Sequence, residues 1–377
     1  MTALAYLLPV AVCLLLRLVL NYEGVWYDYA IIAGLSWGII GLSQLLFHKH
    51  RTRDKEYLGG YLTGIYYEAP WTEIQVYYVT VTDSKGNSRQ ERRVRHIYHP
   101  EKHYFISTIG AKSIGGAYFH QVASKWNTTR IPDIWYGLEI VGGARHGYHY
   151  LYDADDGLDR MESVTFMHSY ENRIRNSNSV FRFERIDKAT AEKSGLYRYP
   201  GITYGHDSPA ILSHDIKLPA STISRAQIFN AYYAPQVQMH LFILLFDASK
   251  YGVGIVEKQK AYWEGGNKNE FVLCLGIDED KVKWAKAFSW VDEPVLEVKT
   301  EGWFASHPAF DLTAYFAWFE DNYSIWKRKH FSDFKYVRVS LTMTQVLVLH
   351  LIAVISSVGL SYLCIAGYMQ QFYGLFQ

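Results

Sequence analysis

The hydrophobic positions of this chain fall into two regimes: unbroken blocks at both ends, and alternation with polar residues between them. "ALAYLLPVAVCLLLRLVL" (3–20) carries one charge, Arg17, and "YAIIAGLSWGIIGLSQLLF" (29–47) carries none. "VSLTMTQVLVLHLIAVISSVGLSYLCIAGYM" (339–369) is uncharged over its whole length. About 20 apolar residues cross a bilayer, so each block is expected to be a membrane-spanning helix. Arg17 lies near the end of its block, where a long side chain reaches the headgroups. The first block also competes with a secretory leader. Against that, "MTA" carries no positive side chain and "LVLNYEG" is a poor cleavage site.

Between the blocks, "WTEIQVYYVTVT" and "RQERRVRHIYH" flank the turn cluster "DSKGN" and predict a β-hairpin, with Ile74, Val76 and Tyr78 on one face. "YHYLYDADDGLDRMESVTFMHSY" repeats the pattern around "DADDGLD" and predicts a second hairpin. "SIGGAYFHQVASKW" reads as a short helix and "SVFRFERI" as a further strand. The rhythm then changes. "STISRAQIFNAYY" reads as a helix, and "HLFILLFD" as a strand buried on both faces. A helix ending near Tyr262 and the strands "NEFVLCLGID" and "KVKWAKAFSW" follow. The expected fold class is α+β. A central domain (57–335) holds a β-rich part (57–187), a β-α-β-β unit (220–300) and an aromatic, membrane-proximal helix (309–335) capped by Asp311. A two-helix segment (1–48) and the last helix (339–369) anchor it. That last block exceeds one span, so it either tilts or continues out of the bilayer as helix.

Charge orients the anchors. The connector "NYEGVWYD" has Glu23 and Asp28 and no base, whereas "HKHRTRDK" and "WKRKHFSDFKYVR" are basic and abut the central domain. The positive-inside rule then makes that domain cytoplasmic, with the N-terminus inside and the C-terminus outside a bacterial inner membrane. Overall the 38 Lys+Arg and 37 Asp+Glu cancel, which argues against a nucleic-acid partner. The expected partners are the lipid bilayer and a protein, either another subunit or a second copy. Cys13, Cys274 and Cys364 have no spacing for zinc or a disulfide framework. Cys274, inside an apolar run, is expected to act as a small hydrophobe.

Three stretches hold candidate chemistry. In "YWEGGNKNEFVLCLGID" (262–278), Asn267, Lys268 and Asn269 are candidate ligand-binding residues beside a glycine pair. A phosphate loop runs strand, glycines, helix; here the glycines follow a helix, so a left-handed helix stop and a turn are favoured, with Lys268 facing solvent. "GHDSPAILSHD" offers His206, Asp207, His214 and Asp215 as catalytic candidates, and His206, His214 and Asp215 as metal ligands. The competing reading is a polar loop. "RHGYHYLYDADDGLD" has an acidic run out of register with a calcium loop, and His146 and His149 point to opposite faces of a strand. The helix-borne zinc, nucleophile-elbow and Walker motifs are absent from the sequence. No cofactor is indicated.

"EYLGGYLTGIYYEAPWTE" (56–73), "MHSYENRIRNSNSVFRF" (167–183) and "YWEGGNKNEFVLCLGID" with "FSW" resemble an uncharacterised family of membrane-anchored proteins from bacterial and phage genomes. The resemblance carries no assigned activity and no functional residue. The element order of the second half is also similar to the TPM domain of membrane-tethered, phosphatase-like proteins, though the acidic metal-site residues of that domain have no match here. The expected function is a scaffold or interaction subunit of a membrane assembly. The alternative is a membrane-tethered, metal-dependent hydrolase.

Overall fold

The computed structural model describes residues 2–19, 26–126, 128–135, 145–153, 157–177, 183–184, 186–201 and 210–366. The chain divides into two compact units. One comprises residues 1–54, 169–182 and 330–377; the other comprises 55–168 and 183–329.

The first unit is helical. α1 (Thr2–Leu18), α2 (Trp26–Thr52) and α9 (Met343–Ile365) pack side by side. α2 and α9 are long and apolar enough to cross a membrane, with mean hydropathy 1.8 and 2.2. α1 is apolar but shorter, at 17 residues, with Pro9 inside it. Two clusters set the helix directions. Ala5, Ile40, Leu349 and Ala353 meet at one end, and Leu16, Ile32 and Cys364 at the other. α1 and α9 therefore run together and α2 runs against them. This brings the basic end of α2 to the start of α9, where the Arg51 guanidinium bonds the Ser340 carbonyl. α9 does not continue an upstream helix. It starts afresh at a capping box, in which Thr342 accepts from the Gln345 amide and the Gln345 side chain accepts from the Thr342 amide.

The second unit holds three sheets. A four-stranded sheet is ordered β12 (Lys281–Ser289), β11 (Glu270–Asp278), β10 (His240–Asp247), β9 (Ile211–Ser213). β10 is parallel to β9 and β11, while β12 is antiparallel. α6 (Ile255–Tyr262) links β10 to β11. Both faces of this sheet are covered, which is why β10 and β11 read as unbroken apolar runs. Leu241, Ile243, Leu245, Leu273 and Leu275 pack on α5 (Ala220–Ile228), α7 (Val295–Ser306) and α8 (Leu312–Asn322). Phe242, Leu244, Phe246, Val272 and Cys274 face the other way, toward α6, α4 (Lys188–Lys193) and Tyr57. Cys274 is fully buried and burial pushes its thiol pKa up. Asp311 caps α8 through the amides of Thr313 and Ala314. The aromatic face of α8, Tyr315, Phe316 and Phe319, is spent on the sheet's core, and α8 ends at Asn322.

A six-stranded sheet is built around β1 (Arg53–Glu68), in the order β5 (Gly110–Ser113), β4 (Lys102–Ser107), β1, β7 (Arg145–Leu151), β6 (Ile131–Trp135). β8 (Ser163–Glu171) also pairs with β1. α3 (Gly116–Trp126) supplies Phe119, Val122 and Trp126 to the core of this sheet. The expected second hairpin is not formed. β7 pairs with Gly64–Glu68 of β1, and β8 follows along the same strand, with the Leu62 amide donating to the Glu162 carbonyl at 3.0 Å. The "DADDGLD" segment thus interrupts one line of pairing instead of reversing it; Asp155 and Asp156 lie outside the described residues. So does most of "SVFRFERI". The third sheet is a two-stranded ribbon, β2 (Trp71–Thr82) with β3 (Ser88–His99), closed by the expected turn. There Asp83 Oδ1 accepts from the amides of Lys85 and Asn87.

β1 is long because it serves two cores. Tyr57 belongs to the four-stranded sheet's core, while Leu62 and Ile65 belong to that of the six-stranded sheet. Gly59 lies between them against the π-helical turn Phe229–Tyr233. A Cβ there would come within 2.0 Å of the Asn230 carbonyl oxygen, so only glycine fits.

Candidate functional site

The glycine pair after α6 is a helix stop. Glu264, Gly265 and Gly266 all have positive φ (53°, 86° and 76°), and the Gly265 amide bonds the Lys260 carbonyl at 2.8 Å. The residues that follow do not behave as a solvated turn. Asn267 is buried, and its side-chain amide donates to Glu270 Oε1 (2.8 Å) and to the Tyr199 hydroxyl (2.7 Å). Asn269, fully buried, donates to the Tyr57 carbonyl at 2.5 Å. The backbone amide of His240 donates to the Asn269 carbonyl at 2.7 Å. This turn therefore ties β10 and β11 to the first residues of β1.

Lys268 corrects the expectation of a solvent-facing residue. Its side chain is 16% exposed and its Nζ lies 3.8 Å from Glu56 Oε1. Burial pushes its pKa down; the Glu56 carboxylate opposes that shift and Arg328 adds to it. Glu56, on β1, is the buried centre of a charge cluster. Arg328 Nη2 donates to both of its oxygens, at 2.9 and 3.0 Å, and His168 Nδ1 lies 2.8 Å from Oε1. One buried carboxylate thus gathers Arg328, Lys268 and His168. Beside it, the Tyr57 ring stacks on His240 with centroids 4.9 Å apart. Full burial pushes the His240 pKa down to about 3, so this ring is neutral at ordinary pH. The Tyr57 and Tyr199 hydroxyls are pushed well above their ordinary values by burial and by the nearby Glu270. Among the described residues Asn269 Oδ1 is buried without a hydrogen-bond partner, but the whole arrangement is a knot of mostly paired polar groups. Its chemistry is that of a clamp, holding β1, β8, the 263–270 turn and the 326–329 segment.

The other sequence candidates are separated. His206 and Asp207 lie outside the described residues. The His214 ring stacks on Tyr197 at 4.2 Å, and its backbone amide donates to the Tyr197 hydroxyl. Asp215 is exposed and 3.6 Å from Lys250 Nζ. Among the described residues, no group of three His, Cys, Asp or Glu side chains is placed to hold a metal. His149 is bound to Asp133 at 2.8 Å, while His146 is exposed.

The β2–β3 ribbon is the most open part of the second unit. Its strands pair only with each other among the described residues, from Trp71 opposite His99 to Thr82 opposite Ser88. Tyr78 (63% exposed), Tyr98 (67%) and Val94 (42%) share one face with Arg92. Tyr77, Arg93 and Arg95 share the other. Sequence reasoning found this hairpin and its turn. It missed the Glu56 cluster, whose members are scattered over positions 56, 168, 268 and 328 with no spacing to mark them. No family model, curated protein or solved structure matches the chain.

Proposed function

We propose that the protein is a multi-pass membrane protein whose folded part is an interaction subunit of a membrane-associated assembly, with the β2–β3 ribbon as its docking arm. The ribbon carries this reading. A two-stranded hairpin is at best marginally stable alone, and this one spans 12 residues per strand with aromatic and aliphatic side chains left in solvent. Tyr and Arg are the residue types that dominate binding hot spots, and Tyr77, Tyr78, Tyr98, Arg92, Arg93 and Arg95 crowd this arm. The surplus of arginine over Glu73 and Glu91 selects a protein partner with an acidic surface. Membrane association is supported by the length and apolarity of α2 and α9 and by their packing with α1. The basic flanks, together on one end of that bundle, support a cytoplasmic folded part.

A photo-crosslinking residue at Tyr78 tests the reading in membranes, with the same residue at Lys283, exposed on β12, as the control. A discrete protein adduct at Tyr78, absent at Lys283 and lost with Arg92→Glu/Arg93→Glu, is expected. Adducts to lipid alone, or a protein adduct indifferent to charge reversal, would overturn it.

A further inference from the structure

The helical unit contains a pocket of about 900 Å³, large for a lone side-chain cleft and within the range of small-molecule sites. Its lining changes character along its length. Tyr6 of α1 with Gly41 and Leu45 of α2 make an apolar wall; His48, Lys49 and Arg53 lie at the basic end of α2. Arg53 is held in place, with Nε and Nη2 donating to Ser169 Oγ at 3.2 and 3.1 Å. That leaves its Nη1 without a bond among the described residues. The Lys49 ammonium likewise has no ion-pair or hydrogen-bond partner among them. The one lining carboxylate, Glu171, is occupied by Arg173 at 2.8 Å.

A helix C-terminus normally repels anions through its open carbonyls. Here the last two are covered, and a further donor lies one turn back. The Thr52 hydroxyl donates to the His48 carbonyl (3.0 Å), Asn176 Nδ2 to that of Arg51 (2.7 Å), and the Asn172 amide to that of Thr52 (2.6 Å). Donors and cations therefore outnumber acceptors at this end of the pocket, while the other end is mainly hydrocarbon and ring surface, its Gln44 amide oxygen already taken by the Tyr6 hydroxyl at 2.8 Å.

We propose that this pocket binds one phosphate-bearing amphiphile, its phosphate at Lys49 and Arg53 and its chain along Tyr6, Gly41 and Leu45. The inference goes beyond the docking arm and rests on α2 lying in a membrane, where basic pockets between helices meet the headgroup layer. A phosphate with an acyl chain and a free phosphate share the cationic end; only the former uses the apolar wall.

Full-length protein in nanodiscs of phosphatidylcholine with a minor share of phosphatidylglycerol, released for native mass spectrometry, tests this. The expected result is one retained phosphatidylglycerol per chain. Lys49→Gln/Arg53→Gln is expected to reduce its retention at least about tenfold. Leu45→Trp, which fills the apolar part and leaves every charge, should do the same, and it keeps the test open if the charge variant fails to fold. Arg17→Gln, at the opposite end of α1, should change nothing. Equal retention of both lipids, or unchanged retention in both pocket variants, would overturn the proposal. So would displacement of phosphatidylglycerol by inorganic phosphate at matched concentration, which assigns the pocket to free phosphate. Carbonate extraction of membranes separates the premise from the proposal: release of the chain there refutes the membrane reading itself, and retention with no lipid preference refutes only the pocket.

Discussion

In the buried knot, Tyr57, Tyr199, Glu56 and Arg328 turn inward; on the β2–β3 ribbon, Tyr78, Tyr98, Glu91 and Arg93 turn to solvent. The residue types are the same and the environments opposite. Inside, each polar atom taken from water needs a replacement partner, so Glu56 draws its partners Arg328, Lys268 and His168 from three distant segments. Outside, the Arg93–Glu91 pair sits 3.7 Å apart with both side chains about half exposed, where water supplies most of what the partner would. The difference teaches that a polar side chain's job is set by what surrounds it: partners within the protein hold it in the knot, and water does on the ribbon.

The comparison breaks most directly at Glu56. Glu56→Ala leaves Arg328 and Lys268 without their buried countercharge and is expected to destabilise the second unit by about 3–5 kcal/mol. Thermal unfolding followed by tryptophan fluorescence measures this; a variant as stable as wild type would refute the knot's role. His240 sharpens the contrast through pH. Its folded pKa, about 3, lies below its ordinary 6.5, so the unfolded state binds the extra proton between those values. Stability is present above pH 6.5 and falls as pH drops toward 3, with a slope approaching about 1.4 kcal/mol per pH unit. His240→Phe should flatten that slope, and an unchanged acid limb would be the contrary result. Asn269→Ala strips the Tyr57 carbonyl of its donor and should cost about 1–3 kcal/mol by the same fluorescence assay. On the ribbon, Tyr78→Ala should shift stability by about half a kcal/mol or less. Its effect belongs in association, and a large loss of stability there would erase the distinction between the two regions.

The parts of the fold legible in the sequence are those whose cause is local or uniform. "HLFILLFD" and "EFVLCLG" are apolar without a break because both faces of β10 and β11 are covered. Asp83 and Gly86 mark the ribbon's turn because its hydrogen bonds close within five residues. β1 was hidden for the opposite reason. "YLGGY" looks like a turn, yet Gly59 is there to let the Asn230 carbonyl approach from far along the chain. β7 and β8 looked like a hairpin because alternation reports a strand but not its partner, and the partner of both is β1. α7 left a faint mark in Leu296, Thr300 and Phe304, one buried residue per turn. Of the candidate site, the turn at Gly265–Gly266 was legible from the glycines alone. That Lys268 faces Glu56 was not, because no local pattern announces a contact 212 positions away.

The Glu56–Arg328 bond sets a clock on the protein's birth. Arg328 is synthesised 272 residues after the carboxylate it neutralises. At ordinary translation speeds that is a wait on the order of tens of seconds. For the first two-thirds or so of that interval Tyr57 also lacks β10, β11 and the 263–270 turn that receive it. β4, β7 and β8 pair with β1 within the first 171 residues, yet the Glu56 carboxylate waits for its guanidinium until almost the whole second unit has been made.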